Sequence, residues 1–551
     1  MPGWPYGVSL DGRPGSNCLL LPAYIALPVE LYLHSFYGQG ISTHHLGLIA
    51  ETSRQEALEF LGDRIWPLVL VMVSIFAWWL SGWLIALRTR DLDWDDRSRW
   101  VAIGVLTSAV LLWGYGEKFG VSRSTSPDNA GKRSVGLFGF GFPVLPEWAL
   151  VPFSPEAFAR TWPFGIALKA QDFWRERRYL ADLADRSAIF RFGARATDAE
   201  TSPQVVIMVI GESSRYDRWR LNGYHRDTNP LLKQEGNLVS LSNVVTAVSA
   251  TRLSVPVLVS RKPAHQSLKA GFSERSFLSA FKEAGFKTWW LSNQMSFGKF
   301  DTPVSVFAKE ADVTQFLNFG GFPGNASHDG ILLAALKAAL DDPSEKKLVV
   351  LHTLGSHWNY SHRYPKEFDK WQPSLYGVEN PAYTDISIKI PLNNSYDNSI
   401  LYTDWFLSKV ISNLKATRRR ATMMYVSDHG QTLYDGSCRL AFHGHNTQFD
   451  FHIPALVWYS DQYLTVHPEK VRQLRKNKNA RLTTENVFHS LLDMAEIRYD
   501  TEQLDRSVVN RKFRPHKRYV DSYGWTDYDN ATFKGDCCEV IGNGKPLAQE
   551  K

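Results

Sequence analysis

Two short segments carry residue types able to hold a metal ion. An apolar run, VVIMVI (205–210), passes into Gly211-Glu212-Ser213-Ser214-Arg215, and another, TMMYVS (422–427), passes into Asp428-His429-Gly430. Each run is short and stops at polar or glycine residues, as a buried strand does. Ligands of open α/β sheets gather at the C-terminal ends of strands, so Glu212, Asp428 and His429 are candidate ligands of one ion. Adjacent Asp and His reach the same ion only if the backbone turns tightly, which Gly430 permits. Two carboxylates and an imidazole suit zinc with a position left open for substrate. For Asp428-His429-Gly430 alone, the plainer reading is a turn Asp beside a hydrogen-bonded core His, and Gly211-Glu212-Ser213 alone is a weaker signal still. Two such strand ends in one chain are more informative than either.

The elements that would position these residues are legible around them. Further apolar runs occur at KTWWLS (287–292), KLVVLHTL (347–354) and ALVWYS (455–460). Amphipathic stretches such as GILLAALKAALDD, SILYTDWFLSKVISNLKA and TENVFHSLLDMA lie between the runs. Buried strands alternating with amphipathic helices predict an α/β domain with a largely parallel sheet over residues 201–551, its last stretch after about residue 505 being irregular. The first part of the chain has a different character. Residues 65–87 form an uncharged apolar run long enough to span a bilayer, residues 100–115 a second, and residues 19–36 a weaker third broken by Pro22, Pro28 and Glu30. These define a membrane region over residues 1–118 of about three helices, with an external segment near 38–62. Residues 119–200 read as a linker with a charged amphipathic helix. The loop between the two strong spans carries Arg88, Arg90, Arg97 and Arg99, which places it in the cytoplasm and the chain beyond the second span outside.

Composition excludes some classes. The net charge of +6 over 551 residues, with no basic stripe, gives no footprint for a nucleic-acid partner. The four cysteines, Cys18, Cys438, Cys537 and Cys538, form no C-x-x-C pair, so a thiolate zinc site is not expected. A disulfide from Cys438 to Cys537 or Cys538 fits an oxidising compartment.

The motifs as a set resemble one family. VIMVIGESSRYDRWRLNGYHRDTNPLL (206–232), TAVSATRLSVPVLVS (246–260), HTLGSHWNYSHRYP (352–365), YDNSILYTDWFLSKVI (396–411), VSDHGQTL (426–433) and FHIPALVWYS (451–460) resemble, in order and approximate spacing, those of the phosphoethanolamine transferases. These belong to the alkaline-phosphatase/sulfatase superfamily and modify lipid A or the lipopolysaccharide core. ISTHHLGLIAETSRQEALEFL (41–61) is similar to a periplasmic segment that the family places between membrane helices. Members usually carry more spans, so the resemblance implies that the first are missing here.

The resemblance implies an alkaline-phosphatase/sulfatase-like sheet flanked by helices and preceded by transmembrane helices. It implies a multi-pass protein of a bacterial inner membrane, acting as a monomer with its catalytic domain in the periplasm. Residue by residue, it implies zinc (Zn2+) bound by Glu212, Asp428 and His429, with Thr251 as nucleophile completing the shell. It places His357 and His452 near the substrate phosphate or a second zinc, and Asn293, Gln294 and Lys299 near substrate. Phosphatidylethanolamine would be the donor, and lipopolysaccharide or another glycan the acceptor. Arg215 and Arg252 are candidate phosphate clamps, whereas His443 and His445 are read as structural. Ala247 and Val257 stand where the family commonly has a disulfide, and Ser249 and Ser254 offer neighbouring hydroxyls. Three other readings compete. A sulfatase proper would need Cys or Ser in C/S-x-P-x-R, but Ser254-Val255-Pro256-Val257 is followed by Leu258. A glycerol-phosphate transferase of the lipoteichoic-acid type also uses a threonine. A lipid-sensing relative with a dead site would be no enzyme.

Overall fold

The computed structural model describes residues 15–37, 41, 43–51, 57, 65–88, 97–119, 146, 149, 165–187, 189–197, 203–265, 274–295, 303–318, 328–378, 381–382, 384–520, 526–531, 533 and 535–540. The chain divides into two compact units, one of residues 1–47 and 66–173 and the other of residues 48–65 and 174–551.

In the first unit, helices α1 (Gly15–Tyr37), α2 (Ile65–Arg88) and α3 (Ser98–Phe119) correspond to the three apolar runs. Two of them, over Ile65–Ile85 and Ser98–Gly116, are long and apolar enough to cross a membrane. Their apolar side chains, Trp66, Leu70, Trp78 and Leu106 among them, point outward and are exposed. The hydroxyls of Ser74 and Ser81 donate to the carbonyls of Leu70 and Ala77 one turn back. A helix in lipid must satisfy its polar groups internally in this way. The weaker run differs: α1 contains Pro22 and Pro28, and its apolar part reaches only from Leu21 to Leu33. Helix α4 (Gly165–Ser187) takes in the charged stretch expected in the linker.

The second unit is built on an eight-stranded sheet. In chain order the strands are β1 (Gln204–Gly211), β2 (Leu238–Val245), β3 (Lys287–Met295), β4 (Val313–Asn318), β5 (Lys346–His352), β6 (Arg420–Ser427), β7 (His452–Tyr459) and β8 (Leu482–Thr483). Across the sheet they run β8-β2-β7-β6-β1-β5-β3-β4. The five from β6 to β4 are parallel, as expected. Strand β7 is not: it runs antiparallel to both β6 and β2, so the sheet is mixed. Central β1 shows why its sequence is an unbroken apolar run. Val206, Met208 and Ile210 enter the core on one face, and Val205, Ile207 and Val209 the core on the other. Period-2 alternation places each set on its own side, and helices cover both. Each such buried side chain contributes on the order of 1.5–3 kcal/mol.

This register also decides where the chemistry sits. Gly211 is paired with Ser427 at the last position of the β1–β6 ladder. The next residues, Glu212 and Asp428, therefore leave the sheet side by side at the same edge. The irregular C-terminal stretch packs on a loop after β6. Cys438 is bonded to Cys537, while Cys538 is a free thiol whose carbonyl accepts from the Gln448 N–H at 2.8 Å.

Candidate metal centre

Glu212, Asp428 and His429 lie together, each offering one ligand atom within 4.8 Å of the others, and all three are buried. His429 Nε2 is 3.3 Å from Glu212 Oε1 and 3.6 Å from Asp428 Oδ2. Its other nitrogen, Nδ1, is 2.8 Å from the Gly430 carbonyl oxygen, which turns Nε2 towards the carboxylates. A hydrogen bond of this kind fixes the ring of a metal-binding histidine. Gly430 has no room for a side chain, because a Cβ there would run into the Phe449 carbonyl oxygen. Glycine is required at position 430 by the close approach of the Phe449 backbone rather than by a left-handed turn.

The three ligand candidates shift one another's charge. Burial would raise Glu212, but hydrogen bonding and charge from His429, helped by His357 and Ser213, hold it well below the usual carboxylate range. Asp428 moves the other way, pushed up to about 7 by burial and by the charge of Glu212. Burial opposes charge on His429, but Asp428 and Glu212 outweigh it and raise the imidazole to about 9. Like-charged carboxylates buried side by side are costly without a positive partner. Asp428 Oδ2 is buried and accepts no hydrogen bond. The donor set, two carboxylates and an imidazole with one oxygen uncommitted, fits a zinc-type ion with an open position.

Thr251 joins this cluster from a third direction. It opens helix α5 (Thr251–Val259), which follows β2. Its Oγ1 donates to Glu212 Oε2 at 3.0 Å and lies 3.4 Å from His429 Nε2. Arg252, next in the same helix, is buried. The place of the missing disulfide is filled by packing: Ala247 and Val257 meet in a small core with Val248 and Ala264.

His357 stands on the loop after β5. That loop folds over the site, since the Ser356 N–H donates to the Glu212 carbonyl at 2.9 Å. A Cβ on Gly355 (φ +45°) would come within 2.7 Å of that carbonyl oxygen. His357 Nδ1 is 2.7 Å from the Trp358 carbonyl oxygen, and its charge acts on Glu212. Gln294 also reaches the cluster, donating to Glu212 Oε2 at 3.3 Å and to the Thr353 carbonyl at 2.8 Å.

Other expected residues are placed differently. His452 stacks on Tyr216, with ring centroids 4.1 Å apart, and its Nε2 is 3.1 Å from the Ser242 carbonyl oxygen. The ring beside His429 is instead that of His443, at 4.3 Å, a residue read from sequence as structural. The FHGH segment gives no periodicity that would separate His443 from His445, whose Nε2 is 2.9 Å from the Ala441 carbonyl oxygen. Asn293 is buried, and its amide donates to Asp329 at 2.9 Å. Lys299 lies outside the described residues. Arg215 is no phosphate clamp. Its guanidinium is buried, paired with Asp217 at 2.6 Å and Asp435 at 2.8 Å, and stacked on Phe449.

Known proteins are similar to this chain in sequence and in fold. The sulfatase family model matches residues 204–497 of the 551, more than half of the chain. Phosphoethanolamine transferase EptC of Escherichia coli O18:K1:H7 is 30% identical over 366 residues, covering 63% of this chain and 60% of the relative's own length. Phosphoethanolamine transferase CptA of Salmonella typhimurium is 29% identical over 533 residues, 93% of this chain and 85% of the relative. Among solved structures, the C-terminal periplasmic domain of Escherichia coli EptC in complex with Zn aligns with a TM-score of 0.56 at 27% identity, covering 62% of this chain and 97% of that one. The integral membrane protein EptA of Neisseria meningitidis aligns over 89% of this chain and 86% of its own, with a TM-score of 0.62; at 19% identity this shows a shared fold. By its mixed sheet, its matched residues and these likenesses, the chain belongs to the sulfatase family, and the relatives it resembles there carry the name phosphoethanolamine transferase.

Proposed function

We propose that this protein transfers phosphoethanolamine from phosphatidylethanolamine to a lipopolysaccharide acceptor, with Thr251 as nucleophile. The observation that carries the proposal is the position of the Thr251 hydroxyl, 3.0 Å from Glu212 Oε2 and 3.4 Å from His429 Nε2. Glu212, Asp428 and His429 would hold a zinc ion, a reading supported by their clustering and by the Zn complex of the similar EptC domain. Such an ion lowers the pKa of a hydroxyl and offsets charge on phosphate oxygens. Thr251 Oγ1 attacks the donor phosphorus, and the bond from phosphorus to the diacylglycerol oxygen breaks. Diacylglycerol leaves with a proton, and phosphoethanolamine remains on Thr251. An oxygen of the acceptor then attacks the same phosphorus, breaking its bond to Thr251 and restoring the hydroxyl. His357, on the loop over Glu212, would move a proton or bind a phosphate oxygen. His452, stacked on Tyr216, would likewise lie near the substrate phosphate or a second zinc. The test is mass spectrometry of lipopolysaccharide from cells with and without the protein. A gain of phosphoethanolamine on lipid A or a core sugar is expected with it. Unchanged lipopolysaccharide would overturn the acceptor and donor assignments.

The same reading places the catalytic unit in the periplasm, supported by the arginines at 88–99 between two apolar helices. A reporter active only after export, fused behind Lys551, is expected to be active. Activity of a cytoplasm-only reporter at that position would reverse the topology and remove access to the acceptor.

A further inference from the structure

Ser213 occupies a backbone conformation that serine rarely adopts. Its φ is +54°, in the left-handed region that favours glycine. A side chain there costs of order 1–2 kcal/mol, and such strain persists only where the surroundings over-determine it. Three hydrogen bonds do so. Ser213 Oγ donates to Glu212 Oε1 at 2.6 Å. Its N–H donates to Asp428 Oδ1 at 3.0 Å. Its carbonyl oxygen accepts from the Tyr396 hydroxyl at 2.6 Å, and that hydroxyl accepts from the Arg215 N–H at 2.9 Å. Tyr396 is fully buried on the long helix Lys389–Ala416 and so clamps the turn from the far side.

The consequence is specific to the two carboxylates. The left-handed turn lets one residue direct its N–H to Asp428 and its hydroxyl to Glu212. Asp428 Oδ1 is thereby occupied, by Ser213 and by the His429 N–H at 2.7 Å, while Oδ2 accepts nothing. Glu212 is held at one oxygen by Ser213 and at the other by Thr251 and Gln294, which fixes its plane against His429.

We propose that Ser213 is a positioning residue for the metal centre, presetting both carboxylates for the ion, and that Tyr396 locks it in that role. The proposal rests on the zinc reading above. Groups that orient metal ligands typically alter affinity by about 10- to 100-fold. Glycine separates this role from a merely structural one. It adopts positive φ without strain, so if Ser213 only shaped the turn, Ser213→Gly would be neutral or stabilising.

The experiment measures zinc affinity of the full chain in detergent by competition with a chromophoric chelator, together with thermal unfolding of the zinc-free protein. Wild type, Ser213→Gly, Ser213→Ala and Tyr396→Phe are compared. Ser213→Gly is expected to unfold at or above the wild-type temperature yet to bind zinc about 10- to 100-fold more weakly. Ser213→Ala, keeping the Cβ without the hydroxyl, should weaken zinc binding to the same extent, and Tyr396→Phe should weaken it to a lesser extent. Wild-type affinity in Ser213→Gly would overturn the positioning role while leaving the zinc reading in place. Wild-type protein that binds no zinc would overturn both.

Discussion

Thr251→Ala is expected to abolish phosphoethanolamine transfer, by more than about 10³-fold, in a protein that still folds and still holds its metal. The change removes the hydroxyl and the γ-methyl of a residue that is only partly buried. Glu212 Oε2, its acceptor, keeps its bond from Gln294, so no buried carboxylate oxygen is stranded. Loss of one hydrogen bond costs about 1 kcal/mol, small beside the stability of a domain this size. Thr251→Ser should retain part of the rate, since a primary hydroxyl reaches the same point. Two neighbouring hydroxyls test the assignment, one just before helix α5 and one within it. Ser249 and Ser254 are both buried, whereas Thr251 is partly open to solvent and its oxygen faces the ligand cluster. Ser249→Ala and Ser254→Ala should each leave a substantial rate. Protein trapped with donor lipid and mapped by peptide mass should carry phosphoethanolamine on Thr251. An adduct on Ser249 or Ser254, or normal transfer by Thr251→Ala, moves the nucleophile elsewhere and leaves the fold and the metal site untouched.

How much of this was legible in the sequence follows from what each residue touches. Strands β1 and β6 could be read because both their faces are buried, which makes them continuous apolar runs. Strand β2, LVSLSNVV, alternates buried and half-exposed residues and hid among polar positions. The antiparallel direction of β7 could not be read, because composition carries no direction. In the site, Glu212, Asp428 and His429 were legible because their chemistry stands directly on strand ends. Thr251 came through family resemblance alone, since a lone threonine in SATRLSVP has no distinguishing spacing. Ser213, Gln294 and His443 act through contacts made 82 or more positions away or across a loop, and no local pattern announces them. Arg215 shows the same limit from the other side. Beside Glu212 it read as a phosphate ligand, but its partner Asp435 is 220 positions further on, and that pairing turns it into a strut.

Asp428→Ala should remove the metal altogether, and the way it does so separates a metal site from a structural ion-pair cluster. Wild-type protein is expected to carry roughly one zinc per chain, as a site with three protein ligands and an open position does. Asp428 is fully buried, its Oδ1 held by two N–H groups and its Oδ2 open to an ion. Without it, Glu212 and His429 remain as a pair already 3.3 Å apart, which satisfies them by themselves and leaves too few donors to compete for zinc. Elemental analysis should therefore find no stoichiometric zinc in the variant. Stability gives a second, independent reading. Zinc that binds only the folded chain stabilises it by about 2.7 kcal/mol at a hundredfold excess over Kd. Added zinc should thus raise the unfolding temperature of the wild type and leave Asp428→Ala unmoved. In the zinc-free state the variant is expected to stay close to the wild type, because relief of the repulsion between two buried carboxylates is offset by the Ser213 and His429 N–H groups that lose their acceptor. Asp428→Asn, which keeps an acceptor for the Ser213 N–H while losing the charge, controls for packing and should behave like Ala towards zinc. Full zinc in Asp428→Ala, or a zinc-free variant less stable than zinc-free wild type by several kcal/mol, would make this cluster a structural salt bridge and require the metal to be sought elsewhere.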